Sequence, residues 1–209
     1  MIPGLIFPRP ARIAEAPAGA ISFVSSSNSL ATLTYVEDDI IVAIAWDDSG
    51  PAPPTTSTGF TNITGASSGS AIALRLAWRR ALTSNDSGSV GGWGSGVFFR
   101  YASYRGCVAS GTPIGDFDTN NNGNSGTCTI PAKSLAAATS WVVGGYVIDL
   151  TATQPEPAGL TTRESNFSVG SRSMRLCDTN GPVSSFSSIA VTQTSTARGL
   201  GYSIELLAA

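Results

Sequence analysis

Histidine is absent from this chain of 209 residues, and lysine occurs once, as Lys133. The first absence removes Ser-His-Asp and Cys-His relays, imidazole acid–base chemistry and His-ligated zinc. The second leaves no lysine-rich face for a nucleic-acid backbone, in keeping with a net charge of −2 and a pI near 5.0. Charged residues of every kind make up 12% of the chain, about half the usual share. Cysteine is scarce as well: Cys107, Cys128 and Cys177 have no C-x-x-C spacing, and an odd number cannot all pair within one chain. These thiols read as small buried side chains, with a Cys107–Cys128 staple as the alternative, and not as a zinc knuckle or a secreted disulfide framework. No 18 apolar residues run together, and Met1–Pro10 lacks a basic region followed by an unbroken apolar stretch. Neither a membrane span nor a signal peptide is therefore expected.

The chain is instead rich in small polar residues, with 29 Ser, 21 Thr and 23 Gly. From Ile21 onward, short β-prone runs alternate with Gly/Ser/Thr/Asn/Pro clusters, the spacing of an all-β sandwich or barrel. Residues 1–20 differ, because Pro3, Pro8, Pro10 and Pro17 fix φ and bias their neighbours toward extended conformations. This segment reads as an N-terminal arm. Its Ile2, Leu5, Ile6, Phe7 and Ile13 are too apolar for a solvated tail and are expected to lie against this sandwich or a neighbouring copy's. Residues 21–209 read as one domain.

Period-two alternation places Ile40, Val42, Ile44 and Trp46 on one face of a strand, and Ile72, Leu74, Leu76 and Trp78 on one face of another. The Gly96–Arg105 run is apolar on both faces and reads as central. Trp141–Leu150 carries Gly144-Gly145, which signals a bulge or a close backbone crossing. In the last strand Leu200, Tyr202, Ile204 and Leu206 point inward, while Ser203 and Glu205 point out. Pro131–Thr139 leaves room for one or two helical turns at most. Eight or nine strands in two antiparallel sheets give a jelly-roll-like sandwich, with an Ig-like one as runner-up.

Few residues invite chemistry. Asp116-Phe-Asp118-Thr-Asn120-Asn-Asn122-Gly123 begins like a calcium loop, but Asn121 stands where Gly is needed and Thr127 where a bidentate Glu belongs, so the stretch reads as a solvated turn. Asp47-Asp48 and Glu37-Asp38-Asp39 flank one strand; as turn acids they cap backbone N–H groups, and a glycosidase pair is the minor alternative. Arginine is more informative, with 11 Arg against one Lys, and Arg75, Arg79, Arg80, Arg100 and Arg105 fall inside strands. A weakly hydrated, fork-shaped guanidinium suits a surface that another subunit covers, so Arg75 and Arg79 join Leu5, Ile6 and Phe7 as expected partner-binding residues. Trp93 and Tyr104, taken as loop aromatics, are the candidate glycan-binding platform. No catalytic residue, metal site or cofactor is assigned.

Glu37–Asp48, the loop Pro51–Pro54, Gly59-Phe-Thr, Ala73–Ala81, Tyr104-Arg-Gly106, Ser140-Trp-Val-Val143 and Asp178-Thr-Asn-Gly-Pro182 together resemble β-sandwich virion proteins of tailed bacteriophages. The resemblance spans roughly residues 21–207. It implies a non-enzymatic head decoration or cement protein, or else a tail or fibre component, made in the host cytoplasm and located in the virion. The implied partners are other virion proteins, copies of itself and a host-surface glycan, with no role for nucleic acid or membrane. The missing repetitive shaft argues against a self-standing fibre.

Overall fold

The structure is a computed structural model and describes residues 19–84, 86–167 and 172–209. Leu5, Ile6, Phe7 and the rest of the arm up to residue 18 lie outside the described residues. Ten strands form: β1 (Ser22–Ser27), β2 (Ile40–Asp47), β3 (Thr61–Ser68), β4 (Ile72–Arg80), β5 (Val97–Arg105), β6 (Ile114–Ile130), β7 (Trp141–Ile148), β8 (Thr161–Asn166), β9 (Ser173–Asp178) and β10 (Ile189–Leu206). A 3-10 turn at Asp86–Ser89 is the only helical element among the described residues; Pro131–Thr139 has none.

The expected two-sheet antiparallel sandwich is present. One sheet has the order β1-β5-β2-β4-β3 and the other β6-β10-β7-β9-β8, so each half of the chain builds its own sheet instead of following the interleaved course of a jelly roll. Adding five to each strand of the first sheet reproduces the second. The correspondence extends to register: Thr61 pairs with Trp78 and Thr161 with Asp178, and in both ladders a bulge follows the second pair, at Ile63 and at Arg163. The preceding turns match too, with Phe60 N donating to Ser57 O at 3.1 Å and Leu160 N to Pro157 O at 3.2 Å. Gly59 (φ 85°) and Gly159 (φ 77°) supply the left-handed residue that each turn requires. Even side chains correspond. Arg75 donates to Pro54 O at 2.8 Å and to Asn62 Oδ1 at 2.7 Å; Arg175 donates to Gln154 O at 2.8 Å and to Thr162 Oγ1 at 3.1 Å. The sandwich is thus one five-strand module built twice.

Alternation explains the central core. Ile40, Val42, Ile44 and Trp46 of β2 and Leu74 and Leu76 of β4 share one inter-sheet cluster with Trp141, Val143 and Val147 of β7 and Met174 and Leu176 of β9. Each fully buried aliphatic side chain contributes about 1.5–3 kcal/mol. Separate clusters cover the outer faces: Leu33, Tyr35, Trp93 and Tyr101 on the first sheet, and Cys128, Ile130, Tyr146 and Phe186 on the second.

Two expectations change here, and a third is settled between its two alternatives. Asp116–Gly123 lies inside β6, because β10 supplies ladder partners from Ile114 to Ile130, and the turn-prone residues become irregularities around Gly123 (φ 57°). Ser203 and Glu205 do point away from the central core, yet they are buried under 131–140. Ser140 Oγ and Ala136 N donate to Glu205 Oε1 at 2.6 and 2.7 Å, and Asp116 N donates to Oε2 at 2.9 Å. The Gly144-Gly145 pair marks close approach without a bulge: a Cβ at 144 would lie 3.3 Å from Ile130, and one at 145 would lie 2.0 Å from Arg175 O.

The end of β6 folds over the second sheet, and a Cβ at Gly201 would lie 2.0 Å from Thr129 O. Because that neighbour is backbone, Gly201→Ala is expected to destabilise the protein by about 3 kcal/mol, at the upper end of overpacking costs, as read from the midpoint of urea unfolding.

Candidate functional site

The arginines expected at an interface are largely consumed inside the chain. Arg79 is buried and ion-paired with Asp86, which corrects its assignment to a partner surface. Arg75 is half-buried and spends its guanidinium on the Pro54 loop and Asn62. Arg80 donates to Val108 O at 2.7 Å, and Arg105 makes two bonds of 2.8 Å to the buried Asp39 carboxylate. A strand arginine beside a turn carbonyl or carboxylate folds back onto it, since a buried acceptor left unpaired costs about 1–3 kcal/mol.

The glycan platform also separates. Tyr104 is fully buried between the sheets, 6.3 Å from the Trp141 ring, so it is no loop aromatic. Trp93 is 3% exposed, with Nε1 donating to Tyr101 Oη at 2.9 Å. Their aromatic mass is core material in this fold, and the two residues fall in different clusters.

Tyr104 belongs to a polar link across the core. It donates to Asp178 Oδ2 at 3.1 Å, while Arg163 grips the same carboxylate with bonds of 2.8 and 2.9 Å. The guanidinium also stacks 4.2 Å from the Phe23 ring centroid, and Ser26 Oγ donates to Arg163 O at 2.8 Å. Burial and the Asp178 charge push the Tyr104 phenol well above its ordinary pKa, keeping it a neutral donor. This network seals the mouth between β1 and β8.

The repeat places a second mouth between β3 and β6, where Ile63 and Trp78 occupy the positions of Arg163 and Asp178. Among the described residues no ion pair closes it. A cleft of about 290 Å³ remains there, with Ile63, Trp78, Ile114 and Phe117 in its wall, and Phe117 is 42% exposed. The cleft lies at the same end of the strands as residue 19, although β1 and β3 are opposite edges of the first sheet: Ala20 O lies against Gly106, Ala209 N donates to Gly106 O, and Leu207 N to Pro113 O. Sequence reasoning missed it, although Phe117 alone among Asp, Thr and Asn residues was a readable signal.

The remaining candidates are structural. Asp47 Oδ1 accepts from Ser49 N at 2.9 Å, a turn cap, and the Asp48 carbonyl accepts from Arg172. Among the described residues no group of three His, Cys, Asp or Glu side chains is placed to hold a metal, and no helix is long and apolar enough to cross a membrane. Cys107, Cys128 and Cys177 are all free and buried, so no Cys107–Cys128 staple forms. Burial pushes their thiols up to about 12, about 12 and about 11. Comparison with known proteins found no matching family model, no matching curated protein and no matching solved structure.

Three outcomes are expected from these contacts and from the buried thiols. Asp178→Asn leaves the Arg163 guanidinium, 14% exposed, without its anion and is expected to cost about 3 kcal/mol in urea unfolding. The thiols stabilise the fold fully below their ordinary value near 9 and lose that contribution as pH climbs through 11 to 12. Unfolding free energy measured across pH 7–12 is accordingly expected to fall above about pH 9. A thiol reagent at pH 8 should label the three cysteines only after denaturation.

Proposed function

We propose that this chain is a non-enzymatic structural protein of a tailed-phage virion, a decoration or cement protein on the particle surface, with a tail or fibre position as the alternative. The observation that carries the docking role is the cleft between β3 and β6, an apolar surface with an exposed aromatic at the end where the arm joins the sandwich. The virion assignment rests on the motif resemblance across residues 21–207 and on a β-sandwich chain of which only 12% of the residues are charged. With Arg75 and Arg79 engaged internally, apolar contact is the stronger candidate for attachment, and Leu5, Ile6 and Phe7 have the matching chemistry. Covering about 300 Å² of apolar surface contributes on the order of 7 kcal/mol before ordering costs, which the arm's prolines reduce.

Particle association separates this reading from its rivals. Deleting residues 1–18, or replacing Phe117 by Asp in the full chain, is expected to lower the particle-bound fraction at least about tenfold, equivalent to about 1.4 kcal/mol. Phe117→Asp should lower the thermal midpoint by only a few degrees and leave the transition cooperative, since the residue is 42% exposed. Undiminished incorporation of both variants in a sedimentation assay would remove the cleft and the arm from the account.

A further inference from the structure

We infer that the hollow on the outer face of the first sheet is a binding site for a neutral saccharide. The two copies of the module differ at this place. In the second, Cys128–Ile130 lie directly over β10, where Gly199 and Gly201 make room for them. In the first, β5 holds the position of β10 and carries Val97, Phe99 and Tyr101 opposite Asp47, Ala45 and Ala43, in the same register in which Gly199, Gly201 and Ser203 face β7. Strand β1 stops at Ser27, and the face keeps a hollow of about 370 Å³ whose lining includes Asn28, Ser29, Leu30 and the half-buried Phe99, backed by the buried rings of Trp93 and Tyr101. A second hollow of about 230 Å³ shares Asn28 and Phe99 with it, so two adjoining rings find space.

Its chemistry selects the ligand. The walls are rigid: Trp93 is bonded to Tyr101, Phe60 stacks on Tyr101 at 5.8 Å, and Phe99 lies 5.4 Å from Tyr101. Among the described residues the larger hollow has no charged lining side chain; nearby Asp86 is paired with Arg79, and Arg100 of the smaller hollow faces Glu164 at 3.7 Å. An ionic ligand would lose hydration there without a free counter-charge. A purely apolar one would cover the exposed Asn28 amide and the hydrogen of the Ser29 hydroxyl, whose oxygen accepts from Ala31 N at 3.2 Å, without replacing their water. A neutral sugar ring satisfies both constraints, laying its C–H face on the half-buried Phe99 while its hydroxyls reach Asn28, Ser29 and the backbone of Gly92; the Gly91 peptide is already held by Thr58 O and Ser57 Oγ. This site is independent of the virion role.

The full-length chain is to be screened against an array of neutral, sialylated and sulfated glycans, followed by saturation-transfer NMR titration of the best neutral oligosaccharide. Binding with a Kd on the order of 1 mM per site is expected. Phe99→Leu keeps an apolar side chain but removes the flat ring, and should weaken binding at least about tenfold while lowering the thermal midpoint by only a few degrees, since the ring also packs on the outer cluster. Asn28→Ala, at an exposed position, should weaken it severalfold, and Leu82→Ala, at an exposed position outside the hollow's lining, should not. A blank array, binding confined to acidic glycans, or undiminished binding by both Phe99→Leu and Asn28→Ala would overturn the assignment.

Discussion

Both faces of the two middle strands must be kept from water, and the rest of the molecule is arranged around that requirement. β2 is buried from Ile40 to Trp46 and β7 from Trp141 to Ile148. Packing the sheets together covers one face of each; the other needs a further layer. On the first sheet that layer comes from the connections bearing Leu33, Tyr35 and Trp93. On the second it comes from the distal parts of β6 and β10 and from the loops bearing Leu135, Val183 and Phe186. The long strands are therefore a means of burial as much as of pairing, since a ribbon that overshoots its neighbours can bend back across its own sheet.

The repeated module makes the differences between its two copies informative. At one inter-sheet mouth, Arg163 and Asp178 meet with Tyr104 and Phe23 in a bonded, stacked plug. At the other, Ile63 and Trp78 leave an apolar cleft. A buried ion pair adds little net stability because desolvation offsets its attraction, but it is demanding about geometry and closes the gap it sits in. An apolar pair at the same place is permissive and leaves aromatic surface for something else to cover. The same contrast recurs on the outer faces, where glycines admit a covering strand in one copy and aromatics leave a hollow in the other.

The strands of the inner core were legible because their alternation is strong: Ile40 to Trp46 and Ile72 to Trp78 landed on the faces that period two assigned to them. The repeat was not legible. Its two copies share little beyond Gly59-Phe-Thr against Gly159-Leu-Thr, Arg75 against Arg175 and Leu76 against Leu176. Hydrophobic exchange preserves packing while erasing identity. Trp93 and Tyr104 misled because an aromatic between Gly and Ser residues reads as a loop residue, whereas ring size drew both into the interior. Glu205 misled in the opposite sense: its alternation was right, but a carboxylate can be buried once three donors surround it.

What the amino-acid order determined by itself was the local geometry: extended strands, turns at Gly, Pro and Asn, and which side chains lie on a common face. These follow from backbone sterics and a period of two, which need no distant partner. Tertiary structure alone decided which acids would be buried, which arginines would fold back, and where apolar surface would be left uncovered. Those outcomes depend on groups such as Asp178 and Tyr104, 74 positions apart, whose meeting no local pattern encodes.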